Sequence, residues 1–223
     1  MDILVIGNGF DLAHDLPTKY TDFLEFARIM KDILSGTQIG RVNWRNVNPE
    51  IKRLISDNVQ NTSGNIYSDA QEWLDLIKDN LWIEYFQQIQ AKENWIDFES
   101  EISAVIQSLD NDMINKDGKR VLLKEDIGLL SNLYLQGVYS SYISLVTSLN
   151  TSASHPSISY EKVRDRLLDD LHKLIRALEL YLILFVEKIP INIYSPEIAN
   201  REFHRIINFN YSHSYTNNNS YRM

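Results

Sequence analysis

The chain has 223 residues, with 44% hydrophobic and 23% charged content. That is enough apolar material for one sizeable core and too much for a disordered chain. Eight glycines and five prolines are too few for a collagen-like, linker-rich or turn-dense all-β chain. The absence of cysteine excludes disulfides, thiol catalysis and cysteine-ligated metal sites, and fits the cytosol. A net charge of −8 supplies no basic field and argues against nucleic acid as a partner. The greasiest stretch, Leu180 to Val186, falls far short of the roughly 20 residues of a membrane span. No signal peptide opens the chain. Together these features predict a soluble cytoplasmic protein with no membrane partner.

Asp2 to Ile6 form a continuous apolar, β-branched run that ends at Gly7, which predicts a strand buried on both faces. Gly7-Asn8-Gly9 is a turn, and a short helix follows over Phe10 to His14. Thr18 is placed to cap a helix running to about Leu34, with Tyr20, Phe23, Leu24, Ala27 and Met30 at helical spacing and Gly36 as its stop. Asn48-Pro49 opens a helix to about Gln60. Ser68 to Gln71 is a capping-box pattern that opens one long helix through Trp73, Leu74, Ile77, Leu81, Tyr85 and Ile89. Asn94 starts another, with Trp95, Phe98, Ile102, Val105 or Ile106, and Leu109 on one side. Residues 111–120 and 151–158 read as polar loops, and helices are expected over roughly 122–150 and 159–188. Strand character returns at His204 to Phe209, with Ile191 to Tyr194 a weaker candidate. A helical crossover between the first and last strands would lay them side by side in parallel.

The strand–Gly7-Asn8-Gly9–helix junction is the strongest chemical signal. A turn at the end of a buried parallel strand is where open α/β sheets bind ligands, and glycines let a phosphate approach the backbone. Leu12 stands where the dinucleotide fingerprint needs a third glycine, so that match fails. A plain tight turn requiring positive φ at glycine explains the same residues. Asp11 and His14 lie three apart on one side of a helical turn, so Asp11 is placed to orient His14 as a general base. Helix capping accounts for Asp11 equally well. Glu99 falls at the edge of the stripe made by Trp95, Phe98, Ile102 and Ile106, where a carboxylate needs a partner or a raised pKa; a solvated edge is the plainer alternative. Asp97 fits a capping role. Asn208 to Ser212 end the second strand, and Asn210 there is able to clamp a base or ribose, or simply to form a turn. No histidine pair has zinc-ligand spacing, and neither a P-loop nor a nucleophile elbow is present.

Ile6 to His14, followed by Leu16-Pro17-Thr18-Lys19-Tyr20 and Phe23, resembles the signature of the bacteriophage abortive-infection AbiH family. Trp95 to Glu99 resembles that family's tryptophan–glutamate motif, and Phe209-Asn210-Tyr211 resembles its Phe-Asn-Tyr-Thr motif. The resemblance implies an α/β fold: a Rossmann-like, sirtuin-type parallel sheet core, here reduced to few strands, carrying a large mainly α-helical insert. Residues 1–20 and 190–215 would form the sheet core and residues 21–189 the insert of a single domain spanning 1–223. It implies a bacterial phage-defence role. Asp15 stands where the family has glycine, and Ser212 where it has threonine. Family members continue past the last motif into a His-Gly motif and further strands, so the resemblance implies a C-terminally shortened chain.

The leading functional expectation is a nucleotide-like ligand, with NAD binding or hydrolysis as the specific form. Gly7, Asn8, Gly9, Phe10, Asn210 and Tyr211 would hold the ligand, and Asp11, His14 and Glu99 would carry any chemistry. The alternative is a non-catalytic sensor that recognises a phage or host protein. A metal-dependent nuclease using Asp11 and Glu99 is the weakest reading, because the chain is acidic.

Overall fold

The computed structural model describes residues 2–45, 47–61, 66–90, 97–112, 114–116, 119–123, 132–148, 157–191, 195–210 and 212. The chain divides into two compact units, residues 1–75 with 176–223, and residues 76–175.

In the first unit, strand β1 (Ile3–Ile6) runs parallel to β5 (Arg205–Asn208), with Ile3 opposite Arg205 and Ile6 opposite Asn208. Side chains alternate across a strand. Leu4 and Ile6 therefore share one face, where they pack with Phe10 of α1 (Asn8–Ala13) and Ile198 of α9 (Pro196–Ala199). The other face is open: Ile3 is 47% and Val5 59% exposed, and Ile207 is exposed beside them. The expectation of a strand buried on both faces is thus overturned. The β-branched run reflects strand propensity, and the packing described covers one face only.

Helix α2 (Tyr20–Leu34) buries Phe23, Leu24, Phe26, Ala27, Ile29 and Met30. Lys19, not Thr18, is its N-cap, and no side chain caps it. Its end follows the predicted stop. Gly36 adopts φ +95°, its N–H donates to Ile33, and Thr37 N–H donates to Asp32, which is a Schellman closure. Helix α3 (Pro49–Asn61) starts as read from sequence, with Asn48 Oδ1 accepting the Glu50 N–H at 2.9 Å. The core of this unit is aromatic. The Phe26 ring lies 5.1 Å from Trp73 of α4 (Ile66–Ile77), and 4.8 and 4.5 Å from Tyr181 and Phe185. Tyr181, near the end of α8 (Tyr160–Leu184), donates its hydroxyl to the Pro17 carbonyl at 2.6 Å and ties down the segment that follows α1.

The second unit holds α5 (Leu81–Gln90), α6 (Phe98–Asp112) and α7 (Leu133–Ser148). The long helix expected from Ser68 to Ile89 is two helices. The first starts at Ile66 rather than at the Ser68 box, and the break is Asn80. Its Oδ1 accepts the N–H groups of Trp82 and Ile83 at 3.1 and 3.2 Å, which caps a new helix. Its Nδ2 donates to the Asp170 carbonyl at 2.8 Å. The loops expected at 111–120 and 151–158 also need correcting. They contribute to a three-stranded antiparallel sheet of β2 (Ile114–Lys116), β3 (Lys119–Leu123) and β4 (Ser157–Ser159). Strands of three to five residues with polar ends carry too little alternation to register in a periodicity reading. Asn94, Trp95 and residues 192–194 lie outside the described residues.

Asp170 is fully buried. Its Oδ2 accepts from Leu81 N–H at 3.1 Å and Arg166 Nε at 2.9 Å, while Oδ1 has no hydrogen-bond partner among the described residues. Burial raises its pKa, against the lowering effect of Arg166. Because folding raises this pKa, the contribution of Asp170 to stability is greatest below the unfolded value of about 3.9. It is lost as pH rises through the folded value. Asp170→Asn keeps an acceptor for Leu81 and Arg166 but does not ionise. In urea unfolding, the stability of the wild type relative to Asp170→Asn should therefore fall as pH rises from about 3.5 to 7. A difference that does not change with pH refutes this account.

Candidate functional site

Strand β1 delivers the chain to Gly7, the N-cap of α1, at φ −140° and ψ −172°. Any residue adopts that extended conformation. Gly9, inside the first turn, also lacks positive φ, and a Cβ placed on either glycine meets no atom of the described residues within 4 Å. The turn is closed by Phe10 N–H donating to the Gly7 carbonyl at 2.7 Å. The expected need for positive φ at these glycines is therefore not met. Neither backbone conformation nor packing among the described residues requires glycine at position 7 or 9, although glycine is a favoured N-cap at position 7.

The demanding position is at the other end of α1. His14 is the C-cap, Asp15 N–H donates to Leu12, and Leu16 N–H donates to Asp11 at 3.0 Å. This is a second Schellman closure, with Leu16 buried behind it. Asp15 has φ +58°, the left-handed region that favours glycine. A glycine at this position would have a backbone reason, and aspartate fills it at some cost.

Asp11 is 1% exposed, Ser212 2% and His14 7%. Both carboxylate oxygens of Asp11 receive donors from the segment after β5. Asn210 Nδ2 donates to Oδ1 at 3.0 Å, and Ser212 Oγ donates to Oδ2 at 2.6 Å. That segment is shaped to reach them. Phe209 N–H extends the ladder to the Ile6 carbonyl, Asn210 N–H donates to Asn208 Oδ1 at 2.8 Å, and Asn208 Nδ2 donates to the Ser212 carbonyl. An Asx turn at Asn208 therefore folds the strand end back over α1. Asn210 Oδ1 is buried without a hydrogen-bond partner among the described residues.

Asp11 and His14 share one side of α1 as expected, but the bond that fixes the imidazole is local. His14 Nδ1 lies 2.6 Å from the Phe10 carbonyl, and the two rings are 4.2 Å apart. A carbonyl only accepts, so Nδ1 carries the proton and Nε2 is the basic nitrogen of the neutral ring. The structure brings Asp11 and Asn210 into direct contact and places His14 one turn from Phe10. Phe10 itself is packed against Ile6. Tyr211 and the Asn8 side chain lie outside the described residues.

Glu99 lies in the second unit, exposed in the first turn of α6. The buried stripe there is Phe98, Val105 and Leu109, while Ile106 is 47% exposed. The stripe is centred on Phe98, so Glu99, about 100° around the helix, faces solvent. Asp97 is the cap, with Oδ1 accepting from Glu99 and Ser100 N–H. Ser212 was not among the expected site residues. Its signal was the two-residue offset from Asn210, which lets both side chains turn to one acceptor. No group of three His, Asp or Glu among the described residues is placed to hold a metal ion.

Asp15→Gly should stabilise the fold by about 1 kcal/mol, read as a shift in urea midpoint, because it relieves the left-handed strain. An unchanged midpoint would show that aspartate carries no strain there. A double-mutant cycle between Asp11→Ala and Ser212→Ala should give a coupling of about 1–3 kcal/mol in unfolding free energy. Additive effects would dissolve the contact.

A family model described as bacteriophage abortive infection AbiH matches residues 3–222. No curated protein and no solved structure matches the chain. No helix among the described residues is long and apolar enough to cross a membrane. The glycine turn, the Asp11 cluster and the strand-end asparagine all fall inside the matched span, and the chain belongs to the bacteriophage abortive infection AbiH family.

Proposed function

We propose that this chain serves phage abortive infection by holding a nucleotide-like ligand, NAD or a relative, against the backbone at Gly7 and Gly9. It would do so on a Rossmann-like core in the cytoplasm. The observation that carries this reading is Gly9, a glycine for which the described residues show no structural need. Gly7 is the N-cap, where glycine is favoured over alanine, but at Gly9, inside the first helical turn, glycine costs about 1 kcal/mol relative to alanine. There neither φ nor packing among the described residues calls for it, and the space a Cβ would fill holds no described atom within 4 Å. Space kept clear above backbone at a strand end suits a ligand that approaches the main chain. Asp11, Asn210 and Ser212 would act behind that surface as positioning residues, since they are committed to one another. His14 Nε2 is the group in this cluster best suited to accept a proton from a ligand.

The test separates folding from binding. Gly9→Ala should fold at least as stably as the wild type, because alanine is the better helix former and its methyl meets no atom of the described residues within 4 Å. Calorimetry with ADP-ribose and with NAD should show affinity reduced at least about tenfold, close to 1.4 kcal/mol. If the wild type binds neither probe, or Gly9→Ala binds as well, the ligand reading is wrong.

The burial of Asp11 and Ser212 favours a second reading, a non-catalytic module that senses a phage or host protein. In that case His14→Ala would leave protection against phage intact. Loss of protection by a folded His14→Ala chain would favour chemistry at this rim.

A further inference from the structure

The chain as a whole is acidic, but its charge is unevenly spread. Residues 38–53 carry Arg41, Arg45, Lys52 and Arg53 against Glu50 alone. Arg53 takes Glu50, at 2.8 Å. Arg41, Arg45 and Lys52 are exposed, and none of them is in an ion pair among the described residues. Elsewhere in the chain, cations such as Arg28, Arg166 and Arg176 are matched to carboxylates.

Trp44 lies in the same segment. Trp73 and Trp82 are fully buried, whereas Trp44 is held half-buried at the surface. The local structure fixes it there. Its indole N–H donates to the Ile39 carbonyl at 3.4 Å, Arg28 Nη2 donates to the neighbouring Asn43 carbonyl at 2.6 Å, and Arg45 N–H donates to Asn43 Oδ1 at 3.0 Å. The Lys52 ammonium lies 5.6 Å from the Trp44 ring centroid.

We infer that Arg41, Trp44, Arg45 and Lys52 form a contact surface for single-stranded nucleic acid. The guanidinium groups and the ammonium would meet phosphates, and the indole would offer a plane on which a base stacks. An acidic peptide would satisfy the cations but, unlike a base, would not stack on the indole. The inference does not rest on the ligand reading above. The whole-chain charge of −8 gives no long-range attraction, so the contact would be weak and short-ranged. An affinity on the order of 10–100 µM is expected.

The test uses the full chain and a fluorescein-labelled oligothymidylate of about 12 nucleotides, followed by anisotropy. Saturable binding is expected at about 50 mM salt. With three phosphate contacts on a single strand, it should weaken about 20-fold by 200 mM. Arg45→Glu should lower affinity at least about tenfold with the melting temperature unchanged. Trp44→Phe, which keeps a smaller ring, should lower it about two- to fivefold. Lys188→Glu makes the same charge change at an exposed lysine outside this segment and should have little effect. The inference is overturned by no saturable binding at low salt, or by Arg45→Glu binding like the wild type. It also fails if Lys188→Glu is as damaging as Arg45→Glu. Competition by an oligoglutamate peptide as strong as by unlabelled oligothymidylate would point to an acidic protein partner instead.

Discussion

The carboxylate of Asp11 is the constraint on which the rim of the first unit depends. Its donors, Asn210 and Ser212, lie 199 and 201 residues further along the chain. A charge with almost no exposure is costly unless it is hydrogen-bonded, and the strand end supplies that bonding at both oxygens. The two partners hold each other in place. Asp11 is set by the Schellman closure at Asp15, which fixes the length and direction of α1. Asn210 and Ser212 are set by the Asx turn at Asn208 and by the β1–β5 pairing that precedes it. Loss of any one of these elements would leave a buried charge or buried donors without partners, a larger penalty than the net value of one hydrogen bond.

This arrangement changes what the polar residues at the rim are able to do. A side chain that spends both oxygens on internal donors is a support. His14 differs, because its bond to Phe10 fixes the proton on Nδ1 and defines Nε2 as the basic atom. The Asp11 bracket is buried, and Gly9, two residues before it, is exposed. The same residue types would have read as a catalytic cluster had they opened onto solvent.

How much of this was legible in the sequence depended on the range of the cause. Local signals worked: Gly36 and Asn48 mark helix ends because their effects act within a few residues. The β-branched run of β1 marked a strand but said nothing of what covers it, and Ile3 and Val5 are exposed. Asn80 was hidden inside an apolar pattern that continues at helical spacing on both sides. Its capping role is settled by Asp170, which lies 90 residues away. Short strands β2 to β4 were invisible because their patterns are brief: β2 and β3 pair within a few residues of each other, while β4 joins β3 from a distant segment. At the site, spacing placed Asp11 and His14 on one side of α1. The link to Asn210 and Ser212 needed the strand register, in which Ile6 faces Asn208.

Glycine is a guide to function at this rim because backbone conformation and close packing, the two demands within a fold that select it, act separately at each position. At Gly36 the backbone requires it, with φ at +95°. At position 15 the backbone calls for glycine, and this chain uses aspartate. At Gly9 neither the backbone nor packing among the described residues provides a reason, although helix propensity favours other residues, whereas Gly7 is the N-cap, where glycine is favoured over alanine. On the ligand reading proposed above, Gly9 is kept for what would come close to it. It lies at the end of a parallel strand, in front of a bracket that ties together the two ends of the chain. Phage defence by abortive infection requires a protein that responds to something present only during infection. The support under this glycine joins Asp11 to side chains 199 and 201 residues away. A backbone surface kept clear of side chains on such a support is a place where the binding of a small molecule and the register of the sheet would be felt together.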